Sequence, residues 1–385
     1  MKKIIMMLIA SLLMLPSHLM ADSYTVLWKL YERAQQKDLP KTSMNVLKKI
    51  ITKAQADKRY GHLLKAELLH GSLANQVSPD SLTVEVERLV ANMQKAEKQD
   101  PVLAAVYQSS LGRLYRENER LSDNSKELSE EYYRKSLSHP DLLSAHKASE
   151  YVPMVIEGID SKIFGNDLLH VLGMEAKAYG MLHDYYQKQH NRPAACITAL
   201  LRVRQDRDED VMQVRKSKYL LTIDSLIDHY KDLPVAGELA IERYRFMEQA
   251  DDASAESKMN YINYALTQWG AWPRMNILRN AKARLTLPMF HLSLGESVQI
   301  PHQERQVVIM QMCNINQLDM SVWRLNLKGD TSFDPNDQRD YAKVKSHIVS
   351  KTPEYTASKR YVGLPDYQVM RDTMTIKGLP IGVYL

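Results

Sequence analysis

The sequence has few glycines, prolines and cysteines, and little net charge. Its 385 residues include 14 glycines and 15 prolines, too few for a mostly β protein, so helices are favoured. The net charge of +5, or +3 without Lys2 and Lys3, is small and dispersed, which argues against a nucleic-acid partner. The two cysteines, Cys196 and Cys313, are best interpreted as buried thiols, although an exported chain could pair them.

Catalytic motifs are also missing. The sequence contains no H-E-x-x-H, no G-x-S-x-G, no phosphate-binding loop and no dinucleotide-binding fingerprint. Ser144 and Lys147 match a Ser-x-x-Lys nucleophile pattern, but its companion motifs are lacking and such short matches arise by chance. His183 and His190 lie two helical turns apart, wider than the one-turn spacing of chelating pairs, and His170 fits a hydrogen-bonded core histidine. We therefore predict no catalytic, cofactor-binding or metal site, and no enzyme activity.

A long apolar run occurs only at the N-terminus. Two lysines precede an apolar core, Ile4 to Leu15, that is too short to span a bilayer as a mature helix. Ala21 offers a small residue just before a cut at Asp22, so residues 1–21 are predicted to be a signal peptide. Because no cysteine lies near the cut, we expect a periplasmic or secreted protein without a lipid anchor, and a mature chain without a transmembrane segment.

Most of the chain follows a helical pattern. From Asp22 to residue 287, apolar residues recur at helical spacing in short segments that are separated by brief turns, several of which contain proline. In the clearest unit, Gly112 allows close helix contact and the large Tyr115 and Tyr133 fill the adjacent gap, as in the tetratricopeptide pattern. Residues 22–287 are therefore predicted to be an α-solenoid of antiparallel helical repeats, with sub-blocks 22–150 and 165–287.

A tight switch from helix to strand ends the helical region. Pro288 stops helical propagation because it lacks an amide donor. Phe290, Leu292 and Leu294 then alternate with polar residues, which is the pattern of a half-buried strand. Because no flexible linker intervenes, we expect the helical part to dock rigidly onto the β part.

The remaining residues, 288–385, are predicted to form a β-sandwich domain, which makes the fold class α+β. Strands are predicted at 298–300, 307–313 and 322–327, and a polar loop at 333–340. Thr373–Ile376 is predicted to pair with Ile381–Leu385. Because this last segment alternates up to its final residue, we expect that the natural polypeptide continues and that the domain is truncated at its C-terminal end.

Several of these segments resemble a known family when they are taken in order. They are Tyr24-x-x-Leu27-Trp28 and Lys37-Asp38-Leu39-Pro40 near the start, Trp269-Gly-Ala-Trp272-Pro273, Pro288-x-Phe290, and Leu379-Pro380-x-Gly382-x-Tyr384. Together they resemble the start of bacterial alpha-2-macroglobulin-family proteins, and most closely the large Bacteroides-type members. In those proteins a helical, tetratricopeptide-like region precedes the first macroglobulin domain, so the resemblance implies the same order here.

The resemblance also implies a role. Proteins of this family inhibit proteases: they are cut in a bait region, change shape and trap the attacking protease, often through a Cys-x-Glu-Gln thioester. Neither Cys196 nor Cys313 carries that motif, and the sequence has no bait or thioester region, so no functional residue is carried over. The resemblance therefore favours a non-catalytic N-terminal scaffold or docking region of an envelope protease inhibitor.

Two classes of partner follow from the two interpretations. A docking region would contact the rest of a macroglobulin chain, target proteases or other envelope proteins. The alternative is a free-standing periplasmic helical-repeat adaptor that binds peptides or glycans. Neither interpretation calls for a cofactor or for nucleic acid.

Overall fold

The chain folds into two compact units, Met1–Tyr219 and Leu220–Leu385. The computed structural model describes residues 17–78, 81–118, 121–209, 216–249, 253–293, 300–327, 337–363 and 366–385. This part is mostly α-helical, with a small antiparallel sheet region near its C-terminal end, so the predicted α+β class is confirmed. The predicted signal peptide, residues 1–21, lies largely outside the described residues. None of the described helices is both long and apolar enough to cross a bilayer.

The first unit is built from helices in sequence order. They are α1 (Ser17–Gln36), α2 (Pro40–Ala56), α3 (Tyr60–Val77), α4 (Ser81–Glu97), α5 (Pro101–Glu117), α6 (Ser125–Ser136), α7 (Pro140–Ala145), α8 (Leu168–Glu175), α9 (Tyr179–Lys188) and α10 (Arg192–Glu209). From α1 to α6, each helix packs against the next. Two 3-10 helices, Ala148–Tyr151 and Ser161–Phe164, lie in the connector between α7 and α8.

Prolines and an aspartate set the helix starts. Pro40, Pro101 and Pro140 occupy the first turns of α2, α5 and α7, where the missing amide donor costs no hydrogen bond. Asp100 caps α5 by accepting a hydrogen bond of 3.0 Å from the amide of Leu103. The short turns that the sequence indicated are therefore real helix boundaries in this part of the chain.

Helix α1 is held on the array by an aromatic cluster. The buried Tyr24 ring stacks on His62 at 4.0 Å, and its hydroxyl donates to Asp57 Oδ2 at 2.8 Å. Trp28 Nε1 donates to His62 Nδ1 at 2.9 Å. Because Nδ1 accepts this hydrogen bond, His62 must be neutral with its proton on Nε2.

The close helix contact predicted at Gly112 is present. A carbon atom added at Gly112 would lie 3.0 Å from the ring of Tyr133, which is buried on α6. Ser129 Oγ on the same helix donates to the Gly112 carbonyl at 2.7 Å. The absent side chain therefore allows α5 and α6 to approach closely enough for this hydrogen bond.

The second unit begins within α11 (Lys216–Tyr230) and combines helices with strands. Its other helices are α12 (Gly237–Gln249), α13 (Ala255–Trp269), α14 (Asn276–Thr286) and α15 (Gln338–Lys345), with 3-10 helices at Pro234–Ala236 and Pro273–Met275. The strands are β1 (Met289–Ser293), β2 (Arg305–Cys313), β3 (Gln317–Val322), β4 (Arg324–Leu325), β5 (Tyr355–Arg360), β6 (Met370–Ile376) and β7 (Val383–Tyr384). The change from helix to strand falls at Pro288, where the sequence predicted it.

The strands form three small antiparallel sheets. One has the order β1-β2-β6, and the others pair β3 with β5 and β4 with β7. The predicted pairing of 373–376 with 381–385 is therefore wrong. Ile376 instead packs in a buried cluster with Val307 of β2 and Val322 of β3, so burial favoured a distant partner over the nearest one.

Other predictions for the β part need correction. The strand predicted at 322–327 is present only in part, at Val322 and in β4 (Arg324–Leu325). The longer strand, β3, begins earlier, at Gln317, because Leu318 and Met320 pack against a buried cluster that includes Ile309. Residues 338–340, predicted as loop, begin α15, where Asp337 accepts a hydrogen bond of 2.8 Å from the Arg339 amide. The strand predicted at 298–300 lies almost entirely outside the described residues.

Strand β1 differs from its prediction in burial. It was expected to be half-buried, with one apolar face covered. Instead Met289, Phe290 and Leu292 are 45%, 48% and 50% exposed, on both faces of the strand. The alternation of apolar and polar residues therefore correctly predicts a strand here, but its apolar face is not buried.

Gly112→Ala is expected to destabilise the first unit by about 1–3 kcal/mol, since the added methyl group crowds the Tyr133 ring. Gly71→Ala on α3 is the matched control. Its added carbon would lie 3.4 Å from the flexible Glu85 side chain, and alanine is the better helix former by about 1 kcal/mol. Urea unfolding followed by circular dichroism measures both variants. Equal stabilities would show that the α5–α6 contact is not tight.

The Trp28–His62 hydrogen bond predicts a pH dependence of stability. Burial, with smaller effects from Arg59 and Lys65, lowers the pKa of His62. The folded state therefore disfavours protonation, and its stability should fall as the pH drops through the ordinary histidine range, near 6.5. Thermal unfolding at pH 7.5 and pH 5.5 measures this loss. His62→Gln should reduce the difference between the two pH values, and an unchanged difference would assign it to other groups.

Candidate functional site

The Ser-x-x-Lys pattern does not form a nucleophile site. Ser144 Oγ lies 2.6 Å from the Tyr185 hydroxyl and donates to the Asp141 carbonyl at 3.0 Å. Lys147 Nζ donates to the Gly165 carbonyl at 2.7 Å. The lysine amine is thus hydrogen-bonded to backbone rather than to the serine hydroxyl, and the pair lacks the geometry of a nucleophile and its base.

The histidines and cysteines that could have served as metal ligands lie at separate places in the structure. His183 Nδ1 lies 3.2 Å from Asp184 Oδ1, and His190 is exposed beyond the end of α9. Cys196 and Cys313 are both buried and are not joined in a disulfide. Within the described ranges, no three His, Cys, Asp or Glu side chains are grouped so that they could hold a metal ion.

A Ser-His-Asp arrangement that the sequence analysis did not identify lies beside the connector of the first unit. His170 Nε2 lies 3.2 Å from Ser161 Oγ, and His170 Nδ1 lies 3.0 Å from Asp167 Oδ1. These contacts match the order of groups in a catalytic triad. The sequence does not reveal this arrangement, because Ser161 lies only a few positions before the other two residues and on a separate 3-10 helix.

Burial shows that this cluster is structural. Ser161 is only 4% exposed, so a substrate has no approach to its hydroxyl. Asp167 also caps α8 by accepting from the His170 amide at 2.8 Å, and accepts from the Tyr186 hydroxyl at 2.9 Å. Burial, and then the Asp167 carboxylate, raise the pKa of Tyr186 far above its ordinary value, so its hydroxyl stays a donor. The cluster therefore fastens the connector to α8 and α9.

A second buried polar cluster joins three helices. Glu67 of α3 is 0% exposed, and its carboxylate accepts from Tyr107 on α5 at 2.7 Å. Asn92 and Arg88 of α4 donate to the same carboxylate at 2.9 Å and 3.2 Å. Burial raises the pKa of Glu67, while the hydrogen bond from Tyr107 and the charge of Arg88 oppose that rise. Because its acceptors are satisfied from inside the protein, this cluster fixes helix positions and is closed to ligands.

An open cleft of about 340 Å³ lies in the first unit, between α5 and the α6–α7 turn. One wall is a stripe on α5 formed by Pro101, Ala104, Ala105 and Gln108, at the spacing of one helical face. The opposite wall runs from the end of α6 to α7 and includes the buried Leu143. Small side chains on α5 leave the space, and the volume is within the range of ligand pockets.

The cleft combines an apolar floor with one buried amide. Ala104, Ala105 and Leu143 form the floor, and Gln108 beside them is only 7% exposed. Gln108 Nε2 donates to Glu97 Oε1 at 2.9 Å, which fixes the direction of the amide. Its carbonyl oxygen accepts no hydrogen bond from any described residue. Nε2 also donates to Met93 Sδ at 3.9 Å, so both amide hydrogens have partners and the carbonyl oxygen is the group that remains for a ligand.

Charged groups of both signs line the cleft. They are Glu97 at the end of α4, Lys135 near the end of α6, and His139, which precedes α7. Lys135 Nζ lies 2.6 Å from Glu131 Oε1, so its charge is partly compensated outside the cleft. A ligand that fits these walls consequently needs no large net charge and has a hydrogen-bond donor that reaches the carbonyl oxygen of Gln108.

Asp167→Ala is expected to cost about 3 kcal/mol of stability, because it leaves Tyr186 and His170 without their buried acceptor. Ser161→Ala is the matched control and should cost about 1 kcal/mol, since it removes one hydrogen bond. Urea unfolding measures both changes. Labelling of Ser161 by a fluorophosphonate probe would contradict the structural assignment, because that reaction needs an accessible, activated hydroxyl.

Comparison with protein-family models, with curated proteins and with solved structures finds no match to this chain. No relative therefore assigns a role to either buried cluster or to the cleft. Of these three places, the cleft alone combines open space with an unused hydrogen-bonding group, the carbonyl oxygen of Gln108.

Proposed function

We propose that the protein is a non-catalytic docking module and that the cleft binds an extended polypeptide segment of a partner protein. The observation that carries this proposal is the Gln108 amide, which is buried on an apolar floor with hydrogen-bonding capacity left over. The N–H of a peptide group can donate to the carbonyl oxygen of Gln108, which has no partner among the described residues. Adjacent apolar side chains of the same peptide would lie on the alanine floor.

The lining of the cleft favours a peptide over a glycan. Phe, Tyr and Trp are absent from the described residues that line it, so a sugar ring would find none of the large aromatic faces on which sugars stack. The nearby Tyr132 ring stacks on Tyr115 at 5.8 Å and is thus already engaged. A volume of about 340 Å³ is at the lower end of ligand pockets, which suits a short stretch of chain rather than a folded domain.

The family resemblance extends this proposal to the whole chain. In that setting the helical array is an α-solenoid, the strands from Met289 belong to a macroglobulin-like β-sandwich, and the protein works as the docking region of a periplasmic or secreted protease inhibitor. The order of helices followed directly by antiparallel strands at Pro288 supports this setting. The docked segment would then come from an envelope partner or from another part of the inhibitor.

Peptides selected on the full-length protein from a random displayed library should bind in the cleft. Leu142→Glu, which adds a charge at the rim, is expected to weaken them at least about tenfold, or 1.4 kcal/mol. Gln108→Ala should weaken them about three- to tenfold, the equivalent of one hydrogen bond. Fluorescence anisotropy with labelled peptides measures both losses.

Val84→Glu on α4 is the matched control, since Val84 is an exposed aliphatic residue that does not line the cleft. It should leave the peptide affinity unchanged, and circular dichroism should show all three variants folded. Peptides that bind wild type and Leu142→Glu equally, or a protein that selects glycans and no peptides, would overturn the proposal.

A further inference from the structure

Among the described residues, the second unit has a sheet edge that no other strand covers. Strand β1 lies at one side of the β1-β2-β6 sheet and pairs only with β2 among the described residues. Its backbone makes no hydrogen bond with any other described residue. The outward-facing amide and carbonyl groups of β1 thus have no partner in the described part of the chain, and a further strand could pair with them.

The side chains of β1 do not block such pairing. Among the described strands of five residues or more, β1 is the one without Asp, Glu, Lys or Arg. By contrast β6, at the opposite edge of the same sheet, carries Arg371 and Asp372. Charged residues on an edge strand usually prevent pairing between molecules, and β1 has none of them. It also exposes about half of Met289, Phe290 and Leu292.

We propose that β1 pairs antiparallel with β1 of a second copy of this chain, across a twofold axis that passes through His291. The two three-stranded sheets then form one continuous six-stranded sheet. This inference goes beyond the proposed docking function, because it concerns the second unit and does not depend on the cleft.

The sequence of β1 favours its own copy as the partner. In an antiparallel pair centred on His291, Phe290 lies opposite Leu292 of the second copy, and the same apolar contact occurs again on the other side of the axis. Met289 lies opposite Ser293. Every residue of the strand is used, no charge is buried, and the interface is the same patch on both copies, as twofold symmetry requires.

The adjacent register is less suitable. Centring the pair on Phe290 would place Leu292 opposite Pro288, which has no amide hydrogen to donate across the pair. In a continuous sheet, two residues that lie opposite each other must also have their side chains on the same face of that sheet. These two conditions select the register centred on His291.

Sedimentation velocity of the full chain, over about a hundredfold range of concentration, should show a reversible monomer–dimer equilibrium. Leu292→Lys should shift it to monomer by at least about tenfold in dissociation constant, because the lysine charge lies in the apolar contact on both sides of the axis. Val362→Lys, a change at an exposed residue of the same unit outside any strand, should leave the equilibrium unchanged.

The register has its own test by cysteine cross-linking. His291→Cys lies opposite itself in the proposed pair and should form a disulfide-linked dimer on mild oxidation, whereas Val362→Cys should not. The native Cys196 and Cys313 are buried and do not compete. A chain that stays monomeric throughout, a dimer indifferent to Leu292→Lys, or a dimer that His291→Cys fails to cross-link would each overturn the proposal.

Discussion

The arrangement of the first unit depends on a carboxylate that is removed from water. Burying Glu67 is costly unless its oxygens are satisfied inside the protein, and the donors come from two other helices, α4 and α5. The bond from Tyr107 therefore sets the position of α5 along and around its axis relative to α3. Gln108 is the next residue of α5, so the same constraint determines where its amide lies. The cleft is in this sense a consequence of the buried carboxylate.

The opposite wall of the cleft depends on a second set of buried bonds. The α7 segment leads into a connector that has little regular structure, and such segments are mobile unless they are fastened. Asp167 supplies the fastening by capping α8 and by accepting from Tyr186 on α9. The isolated bridge between Lys147 and Asp167 ties the start of the connector to its end. The triad-like contacts of Ser161, His170 and Asp167 therefore stabilise the packing of the connector. Contact distances alone do not indicate catalysis when the serine hydroxyl is buried.

The sequence predicted those features that depend on local physics. Prolines at helix starts and the close contact at Gly112 are properties of one or two turns, and the structure confirms them. The pairing of β6 with β2 could not be read in this way, since it depends on burying Ile376 against residues that are remote in sequence. The cleft was missed for a related reason. Ala104 and Ala105 have the spacing of ordinary core residues. They line an open cleft because no large side chain packs against them there, and the sequence does not show this.

The two units also differ in how completely they cover their apolar residues. In the first unit, the residues at core spacing, such as Leu47 and Ile50, are fully buried by neighbouring helices. In the sheet region, alternation places Phe290 and Leu292 on a strand whose outer side has no described neighbour. A helix completes its backbone hydrogen bonds within itself, whereas an edge strand leaves half of them to another strand. The two units therefore offer different kinds of binding surface. The first unit has an open cleft between helices, and the second has the backbone groups of β1 that no described strand pairs with.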